Sequence, residues 1–162
     1  MASQNERRAR SQQKKSTARL FAVQALFQME AGDAGLEDVQ AEFEEFRFGA
    51  EMDGDVYAEG HLELFRTLTY RAVADQATID KLTDSALVAK WPIAKIDPTL
   101  RALFRAAGAE LVVKDTPPKV AITEFVDIAK AFFPDGKEAK FVNAVLDHMA
   151  RDANPEAFDP KV

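Results

Sequence analysis

The sequence has no cysteine, which removes disulfides, thiol nucleophiles, Cys-ligated zinc and dithiol redox motifs together and fits a reducing cytoplasm. Histidine is nearly absent too. His61 and His148 are isolated, with no second His at metal-ligand spacing and no suggested Ser-His-Asp arrangement, and no glycine-rich phosphate loop is present. Charges interrupt every apolar stretch well before the roughly 18 residues that a membrane span needs. The N-terminus is basic and polar with no apolar region behind it, so no signal peptide is expected. No segment alternates convincingly with period two, which argues against strands. These absences point to a cytoplasmic, all-α, non-enzymatic protein with no cofactor, no bound metal and no membrane partner.

What is present is charge, unevenly spread. The net charge is −6, which by itself argues against nucleic acid, yet the distribution matters more than the sum. Residues 1–19 hold Arg7, Arg8, Arg10, Lys14, Lys15 and Arg19 against the single acid Glu6, a local balance of +5. Residues 33–63 hold eleven acids and one base, Arg47. At ordinary ionic strength the two regions are screened from each other beyond about 10 Å.

Hydrophobic periodicity predicts about seven helices in two small bundles, a size that 162 residues can fill. A flexible basic arm over 1–15 is expected to precede an N-terminal bundle over 16–90. In the first helix Ala18, Ala22, Ala25, Leu26 and Met29 form an inward stripe that Gly32 stops, while Leu20, Gln24 and Phe27 lie opposite. A helix over 36–47 turns Leu36, Val39, Phe43 and Phe46 inward. After a loop with Gly54, another runs from near Val56 to Ala74 with Leu64, Phe65, Leu68 and Val73 inward, and a fourth covers 76–89. Trp91-Pro92-Ile93 marks the junction, since proline cannot continue a helix. The C-terminal bundle, 91–152, takes helices at Thr99 to Val113, Pro117 to Phe133 and Glu138 to Arg151, with Pro134-Asp135-Gly136 as a turn. On the sixth helix Ile122, Phe125, Val126, Ala129 and Phe132 face inward; on the last, Phe141, Val145 and Met149 do. The tail, 153–162, is expected to be loose.

Several residues are candidates for binding. A basic arm can be a mere solubilising tail, but Lys14, Lys15 and Arg19 beside a helix start can also neutralise phosphates. Single-stranded RNA is read by stacking on aromatics and by hydrogen bonds to splayed base edges, which suits Phe27 and Gln24; Phe27 could equally be core between the bundles. Lys140, Asn143 and Asp147, at i, i+3 and i+7, make either a solvated face or a phosphate contact beside a base-edge contact. The carboxylates of 37–63 read as solvated helix faces.

Two stretches resemble one family. Ala18-Arg19-Leu20-Phe21-Ala22-Val23-Gln24-Ala25-Leu26-Phe27 is similar to the first helix of NusB proteins, where a basic arm precedes A-R-x-x-A-x-Q-x-L-aromatic. Pro117-Pro118-Lys119-Val120-Ala121-Ile122-Thr123-Glu124, then Ala129-Lys130, then Lys140-Phe141-Val142-Asn143-Ala144-Val145-Leu146-Asp147 resembles the family's C-terminal signature, and Leu103-Phe104-Arg105 through Glu110-Leu111 is a looser echo. The resemblance implies two helical bundles and a transcription antitermination factor. Such a factor pairs with NusE, a small-subunit ribosomal protein, binds single-stranded boxA RNA of nascent ribosomal transcripts and joins the RNA polymerase antitermination complex. It also implies a partner face on the second bundle, sought around Leu100, Pro118 and Phe132, although Leu100 and Ala109 stand where the family often has an acid and a tyrosine; core positions are the alternative for Leu100 and Phe132. Two other readings stay open, a structural helical adaptor without RNA affinity and a NusB-like module related to RNA methyltransferases, whose catalytic domain this chain is too short to hold. Self-association into a homodimer also stays open, and it would matter by covering the RNA face.

Overall fold

A capping box starts the first helix far earlier than hydrophobic periodicity places it. In the computed structural model, which describes residues 3–48, 59–88 and 91–158, the Glu6 amide donates to the Ser3 hydroxyl at 3.1 Å and the Ser3 amide donates to Glu6 Oε2 at 3.3 Å. Helix α1 then runs unbroken over Gln4–Gly32, 29 residues and roughly 43 Å at 1.5 Å per residue. Residues 4–15 are mostly Arg, Lys, Gln and Ala, all good helix formers. They are therefore helical, in place of the flexible arm expected there, although their side chains are almost all exposed. The helix ends where Asp33 turns left-handed, with φ 56°.

The remaining helices are α2 (Leu36–Phe43), α3 (Glu59–Ala74), α4 (Gln76–Ala86), α5 (Pro98–Val113), α6 (Pro118–Phe132) and α7 (Lys137–Ala153). Short 3-10 turns occupy Ile93–Lys95 and Pro155–Ala157. Among the described residues there are seven α-helices and no strand, the all-α class read from the sequence. The expected loop at Gly54, the start near Val56 and the side chain of His61 lie outside the described residues.

At its end α2 widens into a π-helical turn over Glu44–Phe48, and this turn changes which aromatic faces inward. Regular periodicity pairs Phe46 with Phe43; one extra residue in the turn makes the inward partner Phe48 instead. Phe46 is 66% exposed and Phe48 is buried. Phe21, Phe43, Phe48 and Phe65 then pack ring to ring, with centroids 4.9–6.0 Å apart, as the core of α1, α2 and α3. On α3 it is Ala72, not the expected Val73, that is buried.

Around the second half, α5 is the central element. The Asp97 carboxylate caps it by accepting from the Thr99 amide at 2.7 Å, with Pro98 in the first turn. Ten of its 16 residues are buried. At Gly108 a Cβ would meet Ile79 Cγ2 at 2.4 Å, so α4 approaches closely only because no side chain is there. Helix α4 packs chiefly on α5 and α7 rather than on α3. It therefore joins the C-terminal bundle, and the boundary falls near Asp75 instead of residue 90.

Two inward faces also differ from expectation. On α7 the buried residues are Ala139, Val142, Val145, Leu146, Met149 and Ala150, while Phe141 is 40% exposed; on α6 Ile128 is buried and Phe132 exposed. Ile122, Phe125 and Ala129 on α6 and Val145 and Met149 on α7 are buried as expected, and the strips take in Ala121, Ile128, Val142 and Leu146 in place of Phe132 and Phe141. The Pro134-Asp135-Gly136 turn is present, with Gly136 at φ 84°. The expected loose tail is packed as far as Phe158, which is half-buried beneath the Arg151 guanidinium, 4.5 Å from its ring centroid. Among the described residues no helix is long and apolar enough to cross a membrane.

Candidate nucleic-acid interface

Helix α1 presents one strip to solvent in its second half, where Gln24, Phe27, Gln28 and Ala31 recur at helical spacing. The π-helical turn brings Arg47 to this strip and the end of α6 brings Phe132, enclosing a cleft of about 550 Å³ with Phe43 and Thr99 on its walls. Phe27 is 39% exposed and Phe132 is 36% exposed, so neither is core. Arg47 Nη1 donates to Gln24 Oε1 at 3.3 Å, and its guanidinium lies 5.0 Å over the Phe43 ring. Two accessible rings beside an amide and a guanidinium can stack an unpaired base and hydrogen-bond its edge. The structure thus gathers Gln24 and Phe27 with Phe132, a residue that the sequence alone places on the partner face.

A second groove, about 770 Å³, runs between the basic turns of α1 and the start of α6. Gln12, Gln13 and Lys15 line one side and Lys119, Val120 and Thr123 the other. Arg7, Arg8, Arg10 and Lys15 are exposed, and Lys14 is half-buried.

Arg19 does not belong to that cationic surface. It is 3% exposed and forms a two-pronged pair with Glu110, Nε to Oε1 at 2.7 Å and Nη2 to Oε2 at 2.8 Å, while Nη1 donates to Glu124 Oε1 at 2.7 Å. The Ser16 and Thr116 hydroxyls donate to Glu124 Oε1 and Glu110 Oε2, both at 2.7 Å. Burial alone would lower the Arg19 pKa; the hydrogen bonds and charges of Glu110 and Glu124 outweigh it and hold the guanidinium above its ordinary value. The expectation that Arg19 meets RNA is corrected, because its donors are turned to carboxylates inside the protein. The sequence held the signal: positions 19, 22, 23 and 26 form one inward helical strip, and two glutamates lie in the C-terminal motifs.

The three partner candidates are not brought together. Leu100 is only 8% exposed and forms part of the floor of a third groove, about 540 Å³, with Val88, Trp91, Ile96, Phe141 and His148 around it. Trp91 is 60% exposed and Val88 is 67% exposed. Pro118 is half-buried in the first turn of α6, apart from both Leu100 and Phe132. Lys140 and Asn143 are exposed on α7, outside the lining of all three grooves. Sequence reasoning gives Arg47, Trp91 and the exposed Phe141 no binding role.

The connector that carries Trp91 is held by two side chains, Asp84, whose Oδ1 accepts from the Ile93 amide at 2.6 Å, and Arg101. Arg101 Nη1 donates to the carbonyls of Ile93, Ala94 and Ile96 at 3.0–3.1 Å, while Nε and Nη2 reach Glu30 on α1 at 2.6 and 2.7 Å. The Arg101 hydrogen bond is the main reason that the Glu30 carboxyl titrates below its ordinary range. Among the described residues no group of three or more His, Asp or Glu could hold a metal ion.

These features can be set against known proteins. A transcription antitermination protein NusB from Agrobacterium fabrum (strain C58) is 46% identical over 144 residues, 88% of this chain and 87% of that protein. Its counterpart from Rhodopseudomonas palustris (strain BisB18) is 46% identical over 146 residues, 90% of this chain and 86% of the relative. Among solved structures, T. maritima NusB superposes with a TM-score of 0.71 at 28% identity, covering 89% of this chain and 96% of that one. A structure of the antitermination factors NusB and NusE in complex with dsRNA shares the fold, with a TM-score of 0.71 at 23% identity over 86% of this chain and 98% of that one. With residues 16–151 also matching the sequence model of the NusB family, beside relatives 46% identical over most of their length, the chain belongs to the NusB family.

Proposed function

We propose that this chain acts in transcription antitermination by binding single-stranded boxA RNA of nascent ribosomal transcripts together with NusE, as a non-enzymatic, cytoplasmic component of the RNA polymerase antitermination complex. The observation that carries the proposal is the cleft in which Phe27, Phe132, Gln24 and Arg47, drawn from three separate elements, meet at the surface. Both rings leave a face accessible at the cleft, and stacking a base on one is worth roughly 1–3 kcal/mol. The basic turns of α1 supply phosphate neutralisation on the same helix. The groove of Val88, Trp91, Leu100 and Phe141 offers the apolar, aromatic surface that a protein partner uses, and a structural relative has been solved with NusE and double-stranded RNA.

The test is filter binding of a boxA RNA oligonucleotide to this chain alone and to its mixture with NusE from the same organism. Salt-sensitive binding that NusE strengthens supports the proposal. Absence of RNA binding in both, with a folded protein, makes the chain a helical adaptor instead.

A further inference from the structure

Arg47 is the one base in the acidic stretch from 33 to 63, where eleven acids surround it in sequence. The ordinary fate of such an arginine is an ion pair with one of them. Glu44 is instead paired with Arg66 from α3, and Glu42 accepts from Gln28 at 3.0 Å; among the described residues no carboxylate lies within ion-pair distance of Arg47. Its guanidinium is aimed elsewhere, over the Phe43 ring at 5.0 Å and toward Gln24 Oε1 at 3.3 Å, on the wall of the cleft that holds Phe27 and Phe132.

The π-helical turn produces this aim. Single π turns inside α-helices are rare and are found frequently at functional sites. Here the extra residue sends Phe48 into the core and Phe46 to solvent, and Arg47, between them, reaches across to α1. The ring of Phe43 fixes the plane of the guanidinium by a cation–π contact. Gln24 accepts from Arg47 through its carbonyl oxygen, and both side chains line the cleft. Among the described residues, the cleft therefore offers a hydrogen-bond donor and no charged acceptor next to an exposed aromatic ring.

We propose that Arg47, steered by the π turn and paired with Gln24, reads the acceptor edge of an RNA base that stacks on Phe27. This rests on the RNA-binding function proposed above and adds a specificity-determining residue to it. A planar fork of donors matches the O6 and N7 acceptors of guanine better than the edge of any other base, so guanine is the base that this position favours.

The experiment compares wild type, Arg47→Ala and Arg47→Lys, each mixed with NusE, on a boxA RNA oligonucleotide and on versions with one guanine at a time replaced by adenine. Salt titrations and melting curves accompany the binding. Wild type should lose about tenfold in affinity at one guanine. Both variants should bind the parent RNA about tenfold more weakly and be indifferent to that replacement, with the melting temperature unchanged because the side chain is exposed. Arg47→Lys should keep the wild-type salt slope, which separates loss of the fork from loss of charge. If wild type binds and the variants match it in affinity and base preference, Arg47 has no such role. A variant that keeps its base preference but shows a salt slope reduced by about 0.7 makes Arg47 a phosphate ligand, which also overturns the proposal. Failure of wild type to bind any of these RNAs removes the underlying function and this inference together.

Discussion

Replacing Arg19 by methionine distinguishes an internal anchor from a surface cation. Methionine keeps the aliphatic volume and removes all the charge. It leaves the Glu110 carboxylate, 3% exposed, with the Thr116 hydroxyl in place of a two-pronged guanidinium. Glu124 is less affected, because it is 21% exposed and keeps the Ser16 hydroxyl. Breaking one side of a buried pair costs about 3–5 kcal/mol, most of it the penalty of an uncompensated buried charge. For a chain of this size each kcal/mol moves the midpoint by roughly 2–4 °C, so Arg19→Met should melt about 6–20 °C below wild type. Circular dichroism at neutral pH measures this, and RNA binding at a temperature where both proteins are folded should be nearly unchanged. Adding Glu110→Gln should recover part of the loss, since the stranded charge is then gone. A melting temperature within about 2 °C of wild type, combined with weakened RNA binding and a shallower salt slope, would refute the buried-anchor account and return Arg19 to the RNA surface.

Phe27→Ala should leave the midpoint within a few degrees, because the ring is 39% exposed, but weaken RNA binding about ten- to a hundredfold; a core phenylalanine would instead cost about 3–5 kcal/mol of stability. Charge reversal at Arg7, Arg8 and Lys15, all exposed on α1, should weaken RNA binding and reduce the single-strand salt slope by about 0.7 for each phosphate that is no longer neutralised, with helix content by circular dichroism retained. The folded-state pKa of Glu30 is lowered, chiefly by the Arg101 hydrogen bond, so its stabilising contribution is present above the ordinary carboxylate range and fades as pH falls through the folded value. Glu30→Gln should therefore lower stability at neutral pH and flatten the acid side of the stability profile below about pH 4.5, which denaturant titrations across pH 3–7 will measure.

The sequence makes helices legible wherever an apolar strip of period 3.6 meets a stop, as at Gly32, Pro118 and Gly136. It hides them where the determinant is something other than periodicity. The start of α1 depends on a reciprocal pair of hydrogen bonds between Ser3 and Glu6, and a polar stretch of good helix formers carries no hydrophobic signal to announce it. Phe46 and Phe48 exchange roles because a π turn inserts a residue into the count. Phe132 and Phe141 look like core since aromatics usually are; exposed rings at an interface look the same in one dimension. For the site, the family pattern and the strip opposite the core of α1 both point to Gln24 and Phe27, which the structure does place side by side. Arg19 misleads because a charge on an inward strip has two readings, and only the carboxylates that approach it in space, 91 and 105 residues away, decide between them.

Those two carboxylates also explain why the basic groove and the aromatic cleft can act on one ligand. Both lie along α1, with Lys15 and Phe27 twelve residues apart, roughly 18 Å along the axis. An isolated helix this polar would fray and could slide against its neighbours. Arg19 prevents that by tying α1 to α5 through Glu110 and to α6 through Glu124, and one turn from the C-terminal end Glu30 binds Arg101 on α5. Two ion-pairing residues, Arg19 and Glu30, eleven positions apart on α1, fix both its position and its rotation against the C-terminal bundle. The phosphate-binding and base-stacking surfaces, carried by this one helix, are consequently set in register with the C-terminal bundle that carries the Trp91 groove. A protein partner seated on the Trp91 connector touches the same frame, because the carbonyls that shape this connector are held by Arg101. Coupling between partner and RNA should accordingly depend on Glu30 and Arg101 more than on any residue that touches either ligand: Glu30→Gln should reduce the factor by which NusE strengthens RNA binding, measured by titrating RNA with and without NusE, while leaving RNA affinity without NusE close to wild type. An unchanged enhancement would mean that the two surfaces act independently and that α1 is only a shared scaffold.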